Sequence, residues 1–212
     1  MPLTIILVFL WAPSAEVLGD YSRILYFHVP LAWVSVVAFL VSGILSIFYL
    51  FDKKKRFTAL DEKSYNSAVI GFVFSILTVI MGSIWARLSW GSFWNWDTRE
   101  TSIVIILLIY IAYFSLHAAL AGNENKGKIE SAYLIVAMMT LPFLIFLAPR
   151  LYDSLHPATI INVDKKVYLD WQMRATLLVS LLSFNILYAY ILHLMNRTMY
   201  IKKRLEEYHA ID

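Results

Sequence analysis

Val29-Pro30-Leu31-Ala32-Trp33-Val34-Ser35-Val36-Val37-Ala38-Phe39-Leu40-Val41-Ser42-Gly43-Ile44-Leu45-Ser46-Ile47-Phe48-Tyr49-Leu50-Phe51 contains no charged side chain. The run exceeds the roughly 20 apolar residues an α-helix needs to cross a bilayer core. Pro30 stands in the first turn, where a missing N–H is tolerated. Apolar residues surround the axis instead of lining one face, which marks a helix buried in protein or in lipid.

Similar runs recur on both sides of this one. Together they predict spans at 2–18, 29–51, 67–85, 101–120, 131–148 and 172–194. The expected fold is an all-α integral membrane protein: one domain over 1–212, a six-transmembrane helical bundle with short loops. Residues 2–18 qualify only if the helix continues past Ala12. Pro142 is expected to kink the fifth span by removing one backbone bond and crowding the preceding turn. Serines and Asn185 within the spans read as helix–helix contacts. No Lys or Arg precedes the first apolar run, so a retained helix is expected there and not a removable signal.

Composition agrees. Of the 212 residues, 60% are apolar and 16% charged, against about 25% charged in soluble domains. Mean hydropathy is +0.66. Long apolar blocks, not short alternating ones, argue against a membrane β-barrel. A chain this short cannot bury so many apolar helices in its own interior, which leaves lipid as their solvent. The absence of cysteine excludes disulfides, thiolate metal sites and thioether haem attachment. The sequence lacks a phosphate-binding loop, a dinucleotide fingerprint, a HExxH helix and a serine hydrolase elbow. The net charge of +3 comes without a long basic stripe, so no nucleic acid partner is expected. Carboxylates are scarce within the spans, which disfavours a proton-driven carrier.

Alternating loops divide the 18 basic residues into eleven and seven. The richer side holds Lys53-Lys54-Lys55-Arg56, Lys63, Lys126, Lys128 and the tail from Arg197. The positive-inside rule places that side, with both termini, in the cytoplasm.

All seven tryptophans fall toward the other side: Trp11, Trp33, Trp85, Trp90, Trp94, Trp96 and Trp171. An interfacial aromatic belt would use both surfaces. Four tryptophans from 85 to 96, one ending the third span and three in an outer loop expected at 86–100, read instead as an apolar platform for a flat ligand. His28 and His156 share that side, and two imidazoles can fill both axial positions of one haem iron. Taken singly, each is equally an interfacial polar residue. Arg87, Arg99, Arg150 and Arg174 are candidates to pair with carboxylates such as haem propionates, or to position the loop. Asp97 is placed to cap the fourth helix, to orient an arginine, or to fix a ligating imidazole. Asp20, Asp153 and Asp164 read as ordinary loop acids. His117 and His193 are expected to cap helices or face headgroups, and His209 to be solvated.

The stretch Trp90-Gly91-Ser92-Phe93-Trp94-Asn95-Trp96-Asp97-Thr98-Arg99 resembles the tryptophan-rich "WWD" signature of haem-handling proteins in cytochrome c maturation. Over its length the chain is most similar to the CcmC family, six-span relatives of the larger CcsA and CcmF proteins. Ser22 to Trp33, containing His28, resembles the family's segment at the start of span two. Leu155-His156-Pro157 matches its histidine after span five. The resemblance implies a non-covalent, transferable haem b with His28 and His156 as axial ligands. Trp85, Trp90, Gly91, Trp94, Trp96 and Asp97 would form its platform. It also implies a bacterial inner (cytoplasmic) membrane location with a periplasmic haem site, and delivery to a periplasmic CcmE-like haem chaperone. CcmA-like and CcmB-like ABC-type subunits would hydrolyse ATP, and a small CcmD-like membrane subunit would join the complex. On this reading the chain is a binding and transfer platform and not an enzyme. Glu100 departs from the family pattern, where an apolar residue is commoner, and is expected to affect partner contacts more than haem. Rival readings are a haem transporter, a haem- or quinone-linked oxidoreductase, and a structural subunit of a membrane assembly complex.

Overall fold

The computed structural model describes residues 1–15, 18–52, 59–152, 154–156 and 169–209. The expected basic run Lys53-Lys54-Lys55-Arg56, and Asp153, Pro157, Asp164, Lys165 and Lys166, lie outside the described residues. Within them every regular element is helical. A short apolar helix, α1 (Pro2–Trp11), precedes five helices long and apolar enough to cross a membrane. These are α2 (Leu25–Phe51, entered through a tight turn from Asp20), α3 (Leu60–Trp90), α4 (Thr98–Ala119), α5 (Lys126–Leu151) and α6 (Trp171–His209).

The helix ends differ from the apolar boundaries wherever a backbone signal overrides hydropathy. α1 stops at Trp11 and does not continue to residue 18, because Pro13 disfavours helical backbone at Ala12. Ala12 is extended, at φ −70° and ψ 128°. At about 15 Å, α1 is shorter than a span. It packs Val8 and Ala12 against Leu25 and Tyr26 of α2 and Met173 and Leu177 of α6. α3 outruns the expected 67–85 at both ends. Asp61 and Glu62 sit in its first turn, where the helix dipole favours negative charge. At the other end nothing breaks the helix until Gly91, so the expected 86–100 loop is only residues 91–97. α6 continues past 194 as a charged helix carrying an (i, i+4) pair between Lys202 and Glu206. Pro142 does not interrupt α5. The next residues, Phe143–Leu147, form a wide π-type turn and the helix resumes, a known way of absorbing a lost backbone bond.

Gly91 ends α3 at φ +83°, with its N–H donating to the Arg87 carbonyl at 3.1 Å. A Cβ added there would touch nothing within 4 Å, so the glycine is required by conformation and not by space. We expect Gly91→Ala to cost about 1–2 kcal/mol, measurable as a shifted midpoint when the protein is unfolded by SDS in mixed micelles.

α2 and α3 pair antiparallel through small residues. The Ser46 and Ser64 hydroxyls bond at 2.7 Å, and the Ser67 hydroxyl donates to the Ala38 carbonyl at 2.7 Å. A Cβ on Gly71 would lie 2.6 Å from the Phe39 ring. Such a stripe lets two backbones approach in a setting where lipid supplies no hydrophobic drive. Ser46, Ser64 and Ser67 therefore join helices as expected, while Ser35, Ser75 and Ser115 donate to carbonyls of their own helices. Asn185 does so too: its amide donates to the Leu181 carbonyl of its own helix. Behind this seam, Phe39 stacks on Tyr110 at 3.7 Å, within a core that joins α2, α4 and α5. The register continues toward the tryptophan-bearing end and places the start of α2 beside the end of α3.

Candidate functional site

Asp97-Thr98-Arg99-Glu100 is a capping-box sequence, an acceptor followed three residues later by a carboxylate that reaches back. The Asp97 carboxylate accepts the Arg99 N–H at 2.9 Å, and Glu100 accepts the Asp97 N–H at 3.2 Å and the Asn95 N–H at 2.8 Å. Both acids are buried. Glu100 thus faces inward and shapes the loop. The same bonds hold Trp96 in left-handed backbone, at φ +56°.

Asp97 has further acceptor capacity, and the segment after α5 fills it. The Leu155 N–H donates to Oδ2 at 2.6 Å and the Ser154 hydroxyl to Oδ1 at 3.2 Å. Nδ1 of His156 lies 2.9 Å from Oδ1. Burial pushes the Asp97 carboxyl up, but these donors, the Arg99 N–H first and the neighbouring His156 ring last, outweigh it and hold it below its ordinary range. His156 is held below the usual imidazole range, chiefly by burial and further by Arg99, against the pull of Asp97. A neutral imidazole donating from Nδ1 to a carboxylate presents the lone pair of Nε2, the arrangement found behind metal-bound histidines. Trp90 meets His156 edge-on, with ring centroids 4.9 Å apart.

His28 comes from the first turn of α2. Its ring lies 6.3 Å from that of Trp85 and is near enough to His156 for the two to interact electrostatically. Nδ1 of His28 is buried without a hydrogen-bond partner. An imidazole in that condition, next to a second neutral imidazole and two indoles, suits a soft ligand that brings its own metal. The donor set therefore fits haem.

The other predicted residues divide. Trp94 and Trp96 pack at right angles, 5.8 Å apart, with Trp96 and Phe93 largely exposed. Trp11 and Trp171 pair at 5.2 Å beside α1. Trp85, Arg87 and Trp90 belong to α3 and not to the loop. Arg87 donates to the Gly91 carbonyl and lies over the Phe93 ring, so it braces the loop. Arg99 interacts electrostatically with Asp97 and Arg150, and Arg150 donates to the Phe146 carbonyl. Arg174 is exposed at the start of α6. At the opposite end His117 sits in the last turn of α4. It pairs with buried Glu130 at 3.0 Å and stacks on Tyr65.

Sequence reasoning missed two contributors. The Asp97/Glu100 spacing was a visible sign of the capping box. Gly82, over which the His28 ring sits, was signalled only by the small-residue stripe of α3.

The family model described as CcmC, heme exporter protein C, matches residues 1–211. A mitochondrial protein of Marchantia polymorpha, described as ccmC-like and for cytochrome c biosynthesis, is 29% identical over 75% of this chain and 66% of its own length. Heme exporter protein C of Bradyrhizobium diazoefficiens is 30% identical over 84% of this chain and 66% of that protein. Its counterpart in Rhodobacter capsulatus is 26% identical over 93% of this chain and 81% of that protein. The chain thus spans just under two thirds of the length of the first two relatives.

Proposed function

The chain belongs to the CcmC family, heme exporter protein C, and from that premise we propose that it binds haem at its tryptophan-bearing end and presents it to a periplasmic, CcmE-like haem chaperone for c-type cytochrome biogenesis. The observation that carries this reading is the Asp97–His156 pair, which leaves Nε2 of a neutral imidazole free beside Trp90. His28, from the start of α2, supplies the second axial nitrogen. The cargo is a non-covalent haem b, since the chain has no cysteine for a thioether.

Each residue has one task. His28 and His156 hold iron. Trp85 and Trp90 cover apolar porphyrin surface, with Trp94 and Trp96 at the rim, contributing burial and stacking. Arg99 and Arg150 offer guanidinium to the propionates, while Arg87 keeps the loop in place. The exposed Trp96 and Phe93 are where a chaperone meets the cargo. CcmA-like and CcmB-like subunits would supply ATP hydrolysis and a CcmD-like subunit would join them. The protein would lie in the bacterial inner membrane with both termini cytoplasmic and the site periplasmic.

The test is to express the chain with ample haem, purify it in mild detergent without partners, and record its absorption spectrum before and after adding the chaperone. We expect a six-coordinate, low-spin haem at close to one per chain, lost to the chaperone on mixing. A chain that stays haem-free both alone and with its partner subunits would overturn the proposal.

A further inference from the structure

The geometry points to Gly82 as the residue that positions His28, a role that rests on His28 being an iron ligand as proposed above. The α2/α3 seam of small residues runs from Ser46 and Ser64, through Phe39 and Gly71, to its last contact at His28 and Gly82. A Cβ built on Gly82 would lie 2.8 Å from Cε1 of His28, 3.4 Å from Nδ1 and 3.7 Å from Nε2. The imidazole therefore points its Cε1 edge into the space left by the missing side chain. Trp85, one turn further along the same face of α3, flanks the ring. The ring's depth is set by the α3 backbone at Gly82 and Thr78 and by an indole: Nδ1 has no hydrogen-bond partner, and the Thr78 backbone is the polar group that acts on the ring.

This makes the two histidines unlike. A carboxylate on a loop, Asp97, orients His156, whereas the backbone of α3, at Thr78 and Gly82, orients His28. An alanine at position 82 must push the ring back by roughly 0.7 Å or more to restore ordinary carbon–carbon contact. That exceeds the ~0.5 Å within which a ligand constellation must be held. The atom displaced belongs to the end of a side chain and not to backbone, so the helices can stay where they are while the ligand moves. Gly71 differs, since a Cβ there meets both the Phe39 ring and Ala38 inside the seam.

The test compares wild type, Gly82→Ala, His28→Ala and the double variant, all shown to keep wild-type helix content and elution in detergent. Haem affinity is titrated, and modification of the His28 peptide by diethylpyrocarbonate is followed in the haem-free chain by mass spectrometry. Gly82→Ala is expected to weaken haem binding by roughly 10-fold or more, the scale of a disturbed ligand support. It is also expected to raise the reactivity of the His28 peptide, and to add nothing to the residual affinity of His28→Ala. Unchanged affinity in Gly82→Ala, or an equal further loss in the His28→Ala background, would overturn the inference. Wild-type affinity in His28→Ala would instead overturn the ligand assignment on which it rests. The peptide reactivity would then still decide whether Gly82 sets the ring's position.

Discussion

His28→Ala and His156→Ala should each leave the purified chain with less than roughly a tenth of wild-type haem, since each removes one of two axial nitrogens and neither position offers a replacement. The two variants should differ in what remains. In His156→Ala, Asp97 still accepts from Leu155, Ser154 and Arg99, so the loop stays tied and residual haem is bound through His28. In His28→Ala a buried, unpartnered nitrogen is removed from the α2/α3 seam, so helix packing should be unharmed and residual haem should show the signature of a carboxylate-paired histidine. Haem content with absorption and electron paramagnetic resonance spectra of both variants would check this. Wild-type haem in both would sink the bis-histidine assignment.

Asp97 permits a sharper separation between fold and site. Asp97→Ala removes the cap of α4 and the acceptor for the segment after α5. It should destabilise the protein by on the order of 3 kcal/mol, combining a lost N-cap with stranded donors, and abolish haem binding. Asp97→Asn should behave differently. Asparagine caps helices as well as aspartate, and its amide oxygen can still accept the Arg99 N–H, while the Leu155 N–H then faces an amide N–H, so the loss should be about 1–2 kcal/mol, the cost of one stranded donor. Toward His156 the same oxygen still accepts from Nδ1, but it is now a neutral amide and not a carboxylate. The imidazole loses the charge that holds its proton on Nδ1, and Nε2 becomes a weaker donor to iron. Haem affinity should fall by roughly 10–100-fold. Unfolding midpoints and haem titrations on the two variants decide the matter. An Asp97→Asn chain with wild-type affinity would show that Asp97 serves the loop alone.

Much of this was legible in the sequence, for identifiable reasons. Apolar runs disclosed the long helices because lipid requires uncharged stretches, but they could not disclose helix ends, which depend on backbone chemistry. Pro13 shortened α1, Gly91 prolonged α3 to Trp90, and the charged end of α6 stayed helical although it left the apolar stretch. His28, Asp97 and His156 could be singled out as residue types suited to metal and loop work. The pairing of Asp97 with His156 is a contact across 59 positions, which no local pattern encodes. Glu100 was read only as an extra charge, because a capping box is recognised by spacing and not by residue type. Its spacing from Asp97 held the correct answer. Gly82 was unreadable as part of the site, because a missing side chain matters only once the opposing helix is known to place a ring over it.

That 59-residue separation also fixes an order of events during synthesis. His28 and the tryptophan loop emerge first. At roughly 5–20 residues per second, His156 follows Asp97 by on the order of 3–12 s, after α5 has been made. Until then the nascent chain offers iron a single imidazole and leaves the Asp97 carboxylate without three of its donors, Ser154, Leu155 and His156. Premature capture of cargo is therefore weak by construction, and the Asp97–His156 contact certifies that the helices up to α5 have been made.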